Sequence, residues 1–158
     1  MDHKIVEKES FRVVGKGIRV SAKDGENLRR IPEFWNECQQ DGSCEKIGAL
    51  AERKDMLGIC MEFDPELEEF TYMIAVESTN NPDDGMVEKS IPAASWAVFP
   101  SLGPIPCAIQ KVIDRIFTEW LPFSEYEHAN APELEVYPPG DLQDENYYCE
   151  VWIPVFKK

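Results

Sequence analysis

The segment Pro132–Tyr137 places an acid and a phenol where they could act together on a ligand. In an extended strand alternate side chains share a face, so Glu133, Glu135 and Tyr137 point to one side of it. A carboxylate on a wet face is ordinary, whereas a carboxylate that faces a closed cavity needs a cation or a proton. The chemistry of this strand therefore depends on whether its acidic face lies against solvent or against a cavity.

Charge and composition narrow the classes of partner. The chain has 158 residues, of which 30 are acidic and 16 basic, and its net charge is −14. Direct binding to nucleic acid or to an anionic membrane is disfavoured, and cationic small molecules are favoured. An acidic surface also permits a protein partner, which the sequence does not identify. Because 43% of the residues are apolar, we expect one folded domain over residues 1–158.

The cysteines and histidines predict a reduced protein without a metal site. The five cysteines are odd in number and form no CxxC pair, and no secretion signal opens the chain, which favours the cytoplasm. The two histidines, His3 and His128, are far apart, so no metal centre is expected. No cofactor is expected either, because no phosphate-binding or dinucleotide-binding loop is present.

The apolar pattern predicts the same order of elements twice, with a break at the loop Asn80–Gly85. The predicted elements are a strand pair or one long bent strand at 3–20, a helix at 26–40 and strands at 56–63 and 69–77, then an extended segment at 86–99, a helix at 106–120 and strands at 133–138 and 146–155. A proline in a helix interior is costly, so either Pro32 lies in the first turn of its helix or the helix begins at Ile31. The repeats then cover about 3–79 and 86–156.

This order predicts an α+β fold. Two strand-helix-strand-strand units would pair about a pseudo-two-fold axis and form a curved antiparallel sheet backed by two helices. The cleft between the two halves is the expected ligand site.

Several short motifs follow one another in a characteristic order. They are Ile31-Pro32-Glu33-Phe34-Trp35, Phe70-Thr71-Tyr72, Ile91-Pro92, Trp96-Ala97-Val98-Phe99, Gly103-Pro104, Trp120-Leu121-Pro122-Phe123-Ser124, Pro132–Tyr137 and Ile153-Pro154-Val155. Together they resemble the bacterial GyrI-like, or AraC effector-binding-like, small-molecule-binding domains over nearly the whole chain. One motif departs from the family pattern, since Ser124-Glu125-Tyr126 stands where Ser-Gly-Tyr is common.

The resemblance implies an aromatic cleft that takes flat, often cationic hydrophobic compounds. Glu135 corresponds to the recurring carboxylate of that cleft, and Tyr137 lies beside it. The other candidate ligand-binding residues are the aromatic ones, namely Trp35, Tyr72, Trp96, Phe99, Trp120 and Trp152. Glu133 is expected to face solvent, and Glu150 is interpreted as a charge at the edge of the site.

Three functions stay open. The first is a binding module for multidrug or toxin recognition or sequestration, related to the effector domains of transcription regulators. The second is a hydrolase of cyclopropane-bearing genotoxins, with Glu135 as base and Tyr137 or Tyr72 as proton donor. The third is an acidic protein that shields gyrase. Binding is favoured, because it requires only the cleft, whereas catalysis requires a defined geometry.

Overall fold

A computed structural model describes residues 1–158 and consists of nine strands and three helices. The strands are β1 Lys4–Lys8, β2 Phe11–Ser21, β3 Met56–Asp64, β4 Glu69–Glu77, β5 Val87–Ile91, β6 Ala94–Leu102, β7 Tyr126–His128, β8 Glu133–Tyr137 and β9 Tyr148–Lys157. The helices are α1 Glu26–Gln40, α2 Ser43–Gly48 and α3 Cys107–Arg115, and α3 continues as a π-helical turn to Trp120 and a 3-10 turn to Phe123. The predicted α+β class is confirmed.

The strands form one antiparallel sheet whose order reveals the internal repeat. The order is β1-β6-β9-β8-β3-β4-β2-β5, with β7 added beside β9. If β1 is exchanged with β5, β2 with β6, β3 with β8 and β4 with β9, the same order is read from the opposite edge. The two halves are therefore related by a pseudo-two-fold axis that runs between β3 and β8.

The axis passes through one particular pair of residues. Strands β3 and β8 begin at Met56 and Glu133, so Gly58 and Glu135 occupy equivalent positions in the two halves. These two residues are also direct partners across the antiparallel pair. The centre of the fold is thus occupied by a glycine from one half and a glutamate from the other.

Strict alternation along β4 explains how the sheet builds cores on both of its faces. Tyr72 and Ile74 join the cluster under α1 and α2, whereas Met73 and Ala75 join a cluster made only of strand residues. Because that second cluster is buried without a helix, the sheet must curve to close over it. Each large apolar side chain buried in this way contributes about 1.5–3 kcal/mol.

Two apolar helix stripes cover the other face. Phe34 and Cys38 of α1 are buried under the first half of the sheet, and Ile109 of α3 and Ile116 of the following turn are buried under the second half. Each stripe follows three- and four-residue spacing, as expected for an amphipathic helix. The helices lie over different halves, and the middle of the sheet lies between them.

Three local predictions differ from the structure. Pro32 lies inside α1 rather than in its first turn, and this is tolerated where Leu28 and Pro32 line an open cleft. The segment 86–99 is two strands, because Pro92 and Ala93 separate β5, which pairs with β2, from β6, which pairs with β1 and β9. Neither α2 nor β7 was expected, since both are too short to show a periodic pattern. No helix has both the length and the apolar character that crossing a membrane requires.

Candidate functional site

A cleft of about 1740 Å³ lies between the two helix-covered halves. Ile31 and Trp35 of α1 line one side, Ile109 and Ile113 of α3 line the other, and β3 and β8 contribute to the floor. Small-molecule sites usually enclose roughly 300–1,000 Å³, so this cleft has room for a ligand of several rings.

Glu135 lies on the floor of the cleft, at the pseudo-two-fold axis. Its Oε1 accepts hydrogen bonds from the Tyr72 hydroxyl at 2.7 Å and from the Tyr137 hydroxyl at 3.0 Å. No protein group donates to its second oxygen, Oε2. One oxygen therefore fixes the carboxylate in place, and the other is available to a ligand.

A tryptophan extends this hydrogen-bond network to the wall of the cleft. Trp35 Nε1 donates to the Tyr72 hydroxyl oxygen at 2.8 Å, so Tyr72 can give its own hydrogen to Glu135. The Trp35 ring also meets the Tyr137 ring edge-on, with centroids 5.4 Å apart. The network runs from α1 through β4 to β8 and joins elements of both halves.

Gly58 makes this network sterically possible. A Cβ at position 58 would overlap the Tyr72 hydroxyl and Glu135 Oε1, and it would lie 3.0 Å from Tyr72 Cζ. The hydrogen bond between Tyr72 and Glu135 thus crosses the space that a side chain on β3 would fill. Sequence reasoning did not select Gly58, although a lone glycine within a strand pattern signals such a close approach.

Burial sets the protonation behaviour of the network. Burial raises the pKa of Glu135 above its usual range, the two tyrosine hydroxyls offset part of this rise by stabilising the ionised form, and the Glu133 carboxylate adds to it. Burial, followed by the charge of Glu135, raises the pKa of Tyr72 and of Tyr137 well above that of a free phenol. Both phenols therefore remain hydrogen-bond donors at neutral pH.

A second carboxylate reaches the cleft at the start of β8. Glu133 was expected to face solvent, but its half-buried side chain lines the cleft, and its Oε1 bonds His128 Nε2 at 3.0 Å. His128 arrives on β7, the strand that the sequence did not predict. The sequence prediction for Glu133 was wrong because residue parity fixes the face of a strand and not the depth of the cleft beside it.

The predicted aromatic residues fall into three groups. Trp35 and Tyr137 line the cleft, and Tyr72 is fully buried behind its floor. Trp96 and Trp152 pack at 5.9 Å between ring centroids, and both belong to the cluster on the helix-free face. Phe99 and Trp120 pack at 4.9 Å within the cluster under α3. The last four residues do not line the cleft.

The thiols and other ligating groups are placed as follows. All five cysteines are free, and Cys60 lines the cleft next to Glu135. Burial raises the pKa of the Cys60 thiol well above its usual value, which keeps it protonated and a weak nucleophile. No group of three or more histidine, cysteine, aspartate or glutamate side chains is arranged to hold a metal ion.

Solved structures support the fold. A structure of SAV2435 bound to tetraphenylphosphonium aligns with a TM-score of 0.87 at 23% identity, covering 99% of this chain and 94% of that one. A protein from Staphylococcus aureus MU50 aligns with a TM-score of 0.84 at 22% identity, covering 98% of both chains. An integron cassette protein from Vibrio cholerae aligns with a TM-score of 0.72 at 16% identity, covering 98% of this chain and 95% of that one.

The family assignment rests on a match to nearly the whole sequence. No curated protein matches the chain significantly. The family profile described as "Cass2: Integron-associated effector binding protein" matches residues 4–155. The predicted resemblance to GyrI-like effector-binding domains is thereby confirmed, and the chain belongs to the Cass2 family of integron-associated effector binding proteins.

Proposed function

We propose that this protein binds hydrophobic aromatic cations in its cleft and serves in the cytoplasm to recognise or sequester drugs or toxins. The observation that carries the proposal is the free Oε2 of Glu135, a carboxylate oxygen without a protein partner on the floor of a largely apolar cleft. A buried carboxylate is stabilised when a cation comes to lie beside it.

The surroundings of Glu135 suit a delocalised cation better than a compact one. An ammonium ion would need several hydrogen-bond acceptors and a metal ion several oxygen ligands, whereas Oε2 is a single acceptor in an aromatic cleft. Trp35 and Tyr137 offer ring surface that attracts positive charge and covers apolar ligand area. The bound tetraphenylphosphonium of SAV2435, a protein with the same fold, supports this class of ligand.

Titration calorimetry with tetraphenylphosphonium tests the proposal. Glu135→Gln keeps an acceptor for both tyrosines and removes the charge, so the affinity is expected to fall by about tenfold or more. Glu150→Gln is the matched control, because Glu150 also accepts a tyrosine hydroxyl but does not line the cleft. Binding to the wild-type protein is expected to strengthen as the pH rises through the raised pKa of Glu135, since the cation selects the ionised form.

Two results would contradict this function. One is wild-type affinity weaker than millimolar for tetraphenylphosphonium and for related lipophilic cations. The other is equal affinity in the wild type and in Glu135→Gln, which would place the ligand elsewhere.

A second candidate function is hydrolysis of strained electrophiles such as cyclopropane-bearing alkylators. The raised pKa of Glu135 favours it, because a stronger base takes a proton from water more readily near neutral pH. Oε2 would remove a proton from a water molecule as the water oxygen attacks the electrophilic carbon. The strained carbon–carbon bond would break, its electron pair would pass into the conjugated carbonyl group of the alkylator, and the hydroxyl of Tyr137 or Tyr72 would protonate the carbonyl oxygen and regain its proton from Glu135. Mass spectrometry of the alkylator after incubation tests this, and a rate equal to that in buffer counts against it.

A further inference from the structure

Glu133 and Glu135 form a pair of carboxylates along one side of the cleft. Residues two apart on a strand point to the same face, and their Cα atoms are separated by about 6.6 Å. Both side chains line the cleft, and the charge of Glu133 acts on Glu135. A ligand on the floor of the cleft therefore meets two acids at a defined spacing.

The two carboxylates are held in the same manner. The His128 ring accepts the backbone N–H of Asn130 at Nδ1, 2.9 Å away, so its hydrogen is on Nε2 and is donated to Glu133 Oε1. No protein group donates to Glu133 Oε2. Each acid thus has one oxygen fixed by protein donors and one oxygen left over.

The charge around the cleft is not neutralised by bases. Its lining includes five carboxylates, those of Glu45, Glu62, Asp114, Glu133 and Glu135, but only one lysine, Lys54. Of these acids Glu62 is paired with Lys89 at 2.9 Å, whereas Glu133 and Glu135 have no lysine or arginine partner. The excess negative charge and the volume of about 1740 Å³ both exceed what a small monocation would use.

We propose that the cleft selects flat aromatic dications whose two positive centres are spaced to match Glu135 and Glu133. The inference rests on the proposed function, because Glu135 remains the primary anchor. One centre lies at the free oxygen of Glu135 and the other at the free oxygen of Glu133. A monocation of the same shape leaves Glu133 uncompensated, so the second acid provides selectivity.

Two matched probes test the proposal by titration calorimetry at constant ionic strength. The dication is 1,1′-dimethyl-4,4′-bipyridinium, whose nitrogens are about as far apart as the two Cα atoms, and the monocation is the similarly shaped 1-methyl-4-phenylpyridinium. The wild-type protein is expected to bind the dication about tenfold more tightly than the monocation, a preference of about 1.4 kcal/mol. Glu133→Gln should erase this preference and leave the affinity for the monocation within about twofold.

Further variants separate the possible outcomes. Glu133→Asp retains the charge and should retain part of the preference, and Glu150→Gln should retain all of it. Equal binding of the two probes by the wild type, with tetraphenylphosphonium still bound, would overturn the dication proposal and leave the proposed function standing. If the wild-type protein binds none of the three cations, both the dication proposal and the proposed function are overturned.

Discussion

Glu135 and Glu150 lie on neighbouring strands and have similar partners, yet only Glu135 belongs to a candidate site. Glu150 accepts the Tyr148 hydroxyl at 2.6 Å and Trp152 Nε1 at 3.0 Å. Its register partner is Val136, whereas that of Glu135 is Val151, so the two acids lie on opposite faces of the sheet. A carboxylate with a tyrosine and a tryptophan nearby is therefore not a site in itself.

Two differences separate these clusters. Glu150 uses both oxygens for its protein donors, and Tyr148 is 45% exposed, so water reaches this cluster. Glu135 receives both tyrosine hydroxyls on one oxygen and is enclosed by protein apart from the cleft. Buried tyrosine partners and an unused oxygen, rather than residue type, distinguish Glu135 from Glu150.

The largest effect is expected from filling the space beside Gly58, which the hydrogen bond between Tyr72 and Glu135 occupies. Gly58→Ala places a methyl group against the Tyr72 hydroxyl and Glu135 Oε1, so the free energy of unfolding should fall by about 2 kcal/mol. Binding of tetraphenylphosphonium should weaken as well. Chemical denaturation and calorimetry measure the two effects.

The strand glycine Gly17 provides the control for this variant. A Cβ at Gly17 meets nothing nearer than Thr71 Cγ2 at 3.5 Å, so Gly17→Ala should leave stability unchanged or slightly raised. If Gly58→Ala behaves in the same way, the network does not depend on the space above β3.

A smaller effect is expected from removing one indole donor in each cluster. Trp35→Phe leaves the buried Tyr72 oxygen without its donor and should cost about 1 kcal/mol of unfolding free energy. Trp152→Phe removes a similar ring volume but a donor to Glu150 that water can replace, so its loss should be smaller than that of Trp35→Phe. Equal losses in the two variants would show that the clusters do not differ in solvent access.

The smallest effect is a gain in stability when Glu135 itself is replaced. Because the folded-state pKa of Glu135 is raised, its ionisation removes stability as the pH rises through that value, and Glu135→Gln avoids this cost. The variant should be more stable than the wild type at pH 8, by about 0.5 kcal/mol, and equal to it at pH 4. Denaturation at both pH values checks this, and lower stability of the variant at pH 8 would contradict it.

The sequence predicted the elements best where an apolar run is long and clearly bounded. β4 has the predicted ends, because Tyr72–Val76 are all apolar and Glu69 and Glu77 close the strand on either side. The short elements α2 and β7 carry no such signal, and with β7 the contact of His128 with Glu133 was missed. The shortness of these elements therefore limited which parts of the site could be predicted from the sequence.

The sequence did not distinguish the aromatic residues that line the cleft from those that pack in the core. Alternation assigns Phe99 to the helix-covered face but does not reveal that α3 covers it there. Glu135 was identified by its place in a family motif. Such a motif indicates that a residue faces the cleft, whereas strand alternation indicates only which face of the sheet it lies on. Gly58 contributes by having no side chain, and a search for reactive residues does not detect such a contribution.

The glycine and the glutamate at the pseudo-two-fold axis have a consequence for stoichiometry. A strictly symmetric pair of half-chains would present the same residue twice at this point, giving two carboxylates that repel each other or two glycines and no anchor. In this chain the second half contributes the carboxylate of Glu135, and Gly58 of the first half has no side chain to fill the space that this carboxylate occupies. The duplicated scaffold therefore places a single carboxylate at the axis, and the proposed binding should saturate at one equivalent of ligand per chain.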